Sequence, residues 1–230
     1  MKTLAIIPAR GGSKRIPRKN IKDFLGKPII SYSIEAAFKS QLFDEVMVST
    51  DDDEIAAVAM QYGAKVPFMR SNETANDFAT TVDVLNEVIS EYKKRFNINF
   101  EYACCIYATA PLIQPNHLRK GFNLLIDNNY SSVYPIVLFE YPIWRGLRVN
   151  KSGRTEMLWN EFVNSRSQDL EPIYHDAGQW YWFKTIEIRD SLFTGNSASI
   201  ILNELDVQDI DNLTDWKLAE LKYELQLQNS

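Results

Sequence analysis

The sequence holds only two cysteines and two histidines among its 230 residues. The cysteines, Cys104 and Cys105, are adjacent. In a strand they point to opposite faces, and a bond between them would be strained. They read as core thiols of a reducing compartment. The two histidines, His117 and His175, are too few for a His/Cys zinc site. No window approaches 18 uninterrupted apolar residues, which argues against a membrane-spanning helix. The N-terminal apolar run is too short for a signal peptide, and Arg10 ends it. The expected compartment is therefore the cytoplasm. Repeats, low-complexity tracts and linkers are missing too, so a single domain over 1–230 is expected.

Charge is present but unevenly spread. Residues 1–27 hold eight Lys/Arg against one acid, Asp23, while the chain as a whole carries −5. An acidic protein with one basic patch would repel a long phosphate backbone, which disfavours nucleic acid as a partner. The same patch suits one small polyphosphate.

Strand and helix signals alternate. Leu4–Pro8 reads as a buried strand. Gly26-Lys27-Pro28 reads as a turn with Pro28 near the first position of a helix that runs to about Ser40. Strands follow at Glu45–Ser49, Lys65–Phe68, Tyr102–Tyr107 and Ser132–Leu138. Helices follow at about Asp53–Tyr62, Thr80–Lys94 and Pro115–Leu125. Asp51 and Asp52 read as caps for the helix near Asp53. This alternation predicts an α/β fold, a mostly parallel Rossmann-like sheet with helices on both faces. The rhythm breaks between about 139 and 175, where Asn150-Lys151-Ser152-Gly153 signals a hairpin excursion. Its aromatics, Trp144 and Trp159 among them, could cover a site or meet a partner subunit. Strands at Gly178–Phe183 and Ser199–Leu202 and a helix from about Thr214 to the end complete the chain.

The stretch LAIIPARGGSKRIPRKN (Leu4–Asn20) crowds five cations into ten positions behind a strand. Ligands of open parallel sheets bind beyond the carboxyl ends of the strands. Gly11 and Gly12 let backbone N–H groups approach an anion, and Arg10, Lys14 and Lys19 offset its charge. The loop also reads as simple solvated charge. It contains neither GxxxxGK[ST] nor GxGxxG, and no serine of the chain sits in a GxSxG elbow. Asp209 and Asp211, at i and i+2 of an extended segment, share a face. They suit a hard cation such as Mg²⁺; alternatively Asp211 or Asn212 caps the helix that follows, with Asp215 favouring its first turn.

IPARGGSKRIPRKN resembles the signature loop of the CMP-sugar synthetases, cytidylyltransferases that activate nonulosonic acids. Three further stretches match that family in order: RSNETANDFATT (Arg70–Thr81), YATAPL (Tyr107–Leu112) and DIDNLTDWKLAE (Asp209–Glu220). Tyr107 stands where the sialic-acid enzymes usually carry Gln. SRSQDL (Ser165–Leu170) and YHDAGQWYWF (Tyr174–Phe183) look most like the branch acting on pseudaminic acid.

The resemblance implies a nucleotide-diphospho-sugar transferase fold and a Mg²⁺-dependent transfer of CMP from CTP to the sugar's anomeric hydroxyl, for bacterial surface glycan or flagellin glycosylation. It implies that Arg10, Lys19 and Asn20, helped by Gly11, Gly12, Ser13 and Lys14, hold the CTP phosphates. Arg70, backbone groups around Ala79 and the Thr81 hydroxyl would read cytosine. Asp209 and Asp211 would hold the metal, and these with Arg10 and Lys19 form the catalytic set. Tyr107, Thr109, Arg166, Gln168, His175, Asp176 and Gln179 would meet the acceptor, with Arg166 suited to its carboxylate. Arg15 and Arg18 receive no role. The excursion would form a homodimer and lend residues to the neighbouring site. The alternatives are the same reaction on sialic, legionaminic or Kdo acid, and, in another class, a nucleotide-binding module without catalysis.

Overall fold

The computed structural model describes residues 1–228. The last two residues, to which the sequence reading extends the final helix, lie outside the described residues. The chain opens with β1 (Thr3–Pro8), apolar on both faces. β2 (Asp23–Phe24) and β3 (Lys27–Pro28) then form a minimal antiparallel pair across Leu25 and Gly26, both at positive φ. That pairing holds Pro28 in a strand, so α1 (Ile30–Ser40) starts beyond the proline instead of at it.

β4 (Glu45–Ser49) leads to α2 (Asp53–Gln61), which Asp52 caps by accepting from the N–H groups of Glu54 and Ile55 at 3.0 Å. The expected strand over 65–68 does not form. Lys65 makes one isolated bridge to Met47, and Pro67 then has no N–H with which to extend a ladder. The short α3 (Asn72–Ala75) precedes the long α4 (Thr81–Phe96), where Thr80 and Asp83 satisfy each other's backbone N–H groups in a capping box. β5 (Tyr102–Ile106), α5 (Pro115–Asp127) and β6 (Ser132–Leu138) follow.

The excursion forms a separate hairpin, β7 (Leu147–Val149) with β8 (Thr155–Met157). Its turn is the expected one. Asn150 Oδ1 accepts from the N–H groups of Ser152 and Arg154, and Gly153 takes φ +77°. β9 (Tyr174–Asp176), β10 (Trp180–Lys184), β11 (Ser197–Leu202) and α6 (Leu213–Gln228) close the chain.

The main sheet runs in the order β11-β6-β10-β5-β1-β4, with β9 also paired to β6. β1 is parallel to β4 and β5, and β11 to β6, while β10 and β9 run against their neighbours. Side chains alternate between two cores. Ala5, Ile7 and Cys104 pack with α1, α2 and α5 on one face; Leu4, Ile6 and Cys105 pack with α4 on the other. Both thiols are free and buried. α5 approaches the sheet at Gly121, where a Cβ would fall 2.4 Å from the Trp180 ring. A third cluster, with Ile16, Phe24, Ile210 and Trp216, clamps the opening loop against the segment ahead of α6. That clamp brings the two ends of the sequence together at the carboxyl ends of β1 and β5. No helix among the described residues is long and apolar enough to cross a membrane.

Candidate active site

Beyond the ends of β1 and β5 lies a cavity of about 510 Å³. Around it the fold gathers Arg10, Ser13, Lys14, Lys19 and Asn20 from the opening loop, Arg70, Ala79 and Thr81 from the middle of the chain, and Tyr107 and Thr109 after β5. Ten of the residues singled out in the sequence thus meet around one space.

The loop is held by its own backbone and by β4. Ala9 N–H donates to the Ser49 carbonyl and Gly11 N–H to Asp51 Oδ1, each at 2.9 Å. A Cβ on Gly11 would lie 2.6 Å from Asp52 Oδ2, so this position needs glycine for close packing. Gly12 meets nothing within 4 Å and leaves the loop open. Asn20 Nδ2 donates to the Arg10 carbonyl at 2.9 Å, which ties the two ends of the loop together. Of the acidic pair after β4, only Asp52 is a helix cap; Asp51 instead anchors Gly11.

The five cations divide by partner. Arg10 and Lys14 both grip Asp77, at 2.6 and 2.5 Å, and Lys14 first, then Arg10, holds that carboxyl below its usual range. Lys19 Nζ donates to the Ile210 carbonyl at 2.7 Å. Burial pushes the Lys19 ammonium down, against the pull of Asp211 and Asp209. Arg15 faces Asp211 at 2.7 Å. Arg18, at φ +56°, pairs with Asp52 and Glu54 and holds the Asp52 carboxyl down at about 2. Arg15 and Arg18, left as solvated charge by the sequence, are therefore ion-paired. No spacing rule could have found this, because their partners lie 34 or more residues away. Asp77 was missed for the same reason.

Arg70 is buried, and burial pushes its guanidinium down. Its Nε donates to Ser49 Oγ at 3.1 Å and Nη2 to the Ser49 carbonyl at 2.5 Å. The Ala79 N–H donates to Asn76 Oδ1 at 3.0 Å. Thr81 Oγ1 lies 3.3 Å from the Tyr107 hydroxyl, a phenol that burial pushes up.

A second cavity, about 210 Å³, shares Thr80, Thr81 and Tyr107 with the first and continues to Asp176, Tyr181 and Phe193. Asp176 accepts from Gly178 N–H at 3.0 Å and from the Tyr181 hydroxyl. Four acceptor candidates stand elsewhere. Arg166 and Gln168 belong to the excursion, where Arg166 pairs with Asp169 at 2.8 Å. His175 is exposed beside the Phe139 ring. Gln179 is buried, with Nε2 on the Asp206 carbonyl at 2.5 Å.

Asp209 and Asp211 suit a hard cation. Asp209 is exposed as a residue, yet partial burial pushes its carboxyl up, and Asp211 adds repulsion that a cation would relieve. Among the described residues no group of three or more His, Cys, Asp or Glu is placed to hold a metal ion. Neither Asp209 nor Asp211 lines the first cavity.

The family model described as Cytidylyltransferase matches residues 4–159. The pseudaminic acid cytidylyltransferase of Campylobacter jejuni is 44% identical over 227 residues, 98% of this chain and 97% of that protein. The CMP-N,N'-diacetyllegionaminic acid synthase of Legionella pneumophila is 33% identical, with 98% and 97% covered. Among solved structures, a CMP:2-keto-3-deoxy-manno-octonic acid synthetase complexed with CTP superposes with a TM-score of 0.68 at 18% identity, over 99% of this chain and 100% of that one. This likeness shows the shared fold.

Proposed function

The chain belongs to the cytidylyltransferase family, and from that premise we propose that it transfers CMP from CTP to the anomeric hydroxyl of a nonulosonic acid, pseudaminic acid before others. The observation that carries this reading is the first cavity. One wall is cationic, the other holds a buried arginine, and Thr80, Thr81 and Tyr107 are shared with a second cavity.

In this reading the triphosphate lies along Arg10, Lys14, Lys19 and Asn20, and cytosine lies toward Arg70, Ala79 and Thr81. The sugar enters the second cavity, whose carboxylate Asp176 suits hydroxyl or amide N–H donors. The acceptor's own carboxylate then belongs at the cationic end. The anomeric oxygen attacks the α-phosphorus, the bond to the β-phosphate breaks, and pyrophosphate leaves. The chain positions both substrates and stabilises charge on the leaving group; it forms no covalent bond. Asp209 and Asp211 would hold Mg²⁺, which when bound supplies charge stabilisation to the phosphate oxygens. The free thiols fit the cytoplasm as the place of reaction, and the product would serve glycan or flagellin glycosylation.

Turnover on pseudaminic, legionaminic, sialic and Kdo acids tests the acceptor. Pseudaminic acid is expected to give the highest kcat/KM. A preference for Kdo, which carries no acylamino groups, would overturn the choice of sugar.

The homodimer belongs to the same reading. Tyr141 is 84% exposed, Leu147 61% and Val149 71%, all on the excursion. An apolar face of this kind on a hairpin outside the main sheet suits a second copy. Arg166 and Gln168, on the same excursion, would then reach the neighbouring site. Sedimentation at micromolar concentration should give a dimer, and Leu147→Glu with Val149→Glu should give monomers. A wild-type monomer would refute the dimer.

A further inference from the structure

Gln179 is 2% exposed, unusual for an amide side chain. It follows Gly178, whose φ of +62° turns the chain from β9 into β10. Its main-chain carbonyl accepts from the Tyr107 N–H at 2.8 Å, which fixes the residue that divides the two cavities. Its side-chain Nε2 donates to the Asp206 carbonyl at 2.5 Å. One residue thus holds Tyr107 with its backbone and Asp206 with its side chain.

Asp206 begins the stretch that carries the acidic pair. It closes the Glu204–Asp206 turn, which Asn203 caps by accepting from the Leu205 N–H at 3.0 Å. Its carboxylate accepts from Gln226 Nε2 at 2.8 Å, linking it to α6. Lys222 Nζ holds the next carbonyl, Val207, at 2.7 Å. Beyond Asp209, the Ile210 carbonyl takes Lys19, and the N–H groups of Asp211 and Asn212 donate to Asp215 Oδ2 at 2.9 Å. The downstream half of the stretch is thereby fixed to the opening loop and to α6. At its upstream end Gln179 ties it to β10 and the sheet.

We propose that Gln179 is a positioning residue: it links Tyr107 to the Asp209–Asp211 stretch and keeps both carboxylates in register with the acceptor end of the cavity. It does this without touching the sugar. The inference rests on the reading of Asp209 and Asp211 as Mg²⁺ ligands. Groups that orient ligands are typically worth about 10- to 100-fold in metal affinity or activity.

Gln179→Met keeps the volume and removes the donor. The test titrates Mn²⁺, standing in for Mg²⁺, into enzyme with CTP and follows water-proton relaxation. In parallel, kcat and KM for the sugar acid are measured. The half-saturating Mn²⁺ concentration should rise about tenfold or more. kcat should fall, and KM for the sugar acid should stay within about twofold. Gln179→Leu is the second variant should the first not fold; it too lacks the donor to the Asp206 carbonyl, and the same pattern is expected. A tenfold rise in acceptor KM with an unchanged Mn²⁺ curve would make Gln179 a sugar contact and overturn the proposal. No change in either would overturn it too. Asp209→Ala separates the two layers. If its Mn²⁺ curve matches wild type, the metal reading itself fails; if it shifts while both Gln179 variants do not, only the positioning role fails.

Discussion

Asp211→Ala is expected to lower pyrophosphate release from CTP about a thousandfold while leaving the melting temperature nearly unchanged. The activity term follows from the proposed metal site. Burial pushes the Asp209 carboxyl up, and Asp211 adds repulsion. Removing one carboxylate takes away half of the protein's hold on the ion. Charge stabilisation of this kind is worth several kcal/mol, and about 1.4 kcal/mol is a factor of ten. The stability term is small because, among the described residues, the ion pair lost is the one with Arg15, whose side chain is 68% exposed. Exposed pairs are worth about 0–1 kcal/mol. The capping contact from Asp215 is to the Asp211 backbone and survives the substitution. The side-chain cap of α6 is Asn212, whose Oδ1 accepts from the N–H groups of Thr214 and Asp215 at 2.8 and 3.1 Å, so unchanged turnover in Asp211→Ala would contradict the metal reading.

Arg10→Ala is expected to cost about 10²- to 10³-fold in kcat/KM with CTP, the size of losing one preorganised charged donor. Arg10 and Lys14 meet on Asp77, so two cations already converge on one anionic group. A phosphate presents the same kind of acceptor oxygens. The pair with Asp77 is half exposed on both sides, so the fold should tolerate its loss. Arg18→Met provides the contrast within the same loop. Arg18 is spent on Asp52 and Glu54 and does not line the cavity, so its replacement should leave turnover within a few-fold. Equal losses at positions 10 and 18 would mean that the loop acts through its total charge, not through placed groups.

Much of the fold was legible because its signals are local. The β1, β4 and β5 strands are mostly apolar runs, and the helix read over Thr80–Lys94 shows in its own periodicity. The density of charge around Gly11 and the spacing of Asp209 and Asp211 were visible in the same way. The failures have different physical causes. Lys65–Phe68 has strand composition, yet Pro67 breaks the ladder it would need. The reversed direction of β10 leaves no trace in the side-chain pattern, because a strand buried on both faces looks alike either way. The ion pairs of Arg15, Arg18 and Asp77 depend on partners brought close only by the completed sheet. Gln179, the last residue of YHDAGQ, stood out as an acceptor contact, but where its amide points is set by Asp206, 27 residues on.

The most direct test of the central claim mixes the wild-type chain with CTP, Mg²⁺ and pseudaminic acid, and measures pyrophosphate together with the mass of the nucleotide product. The account predicts one pyrophosphate per CTP consumed and a CMP-sugar of matching mass, with neither formed when the sugar acid is left out. CTP binding by calorimetry with no pyrophosphate from any of the sugar acids would contradict it and leave a nucleotide-binding module without catalysis.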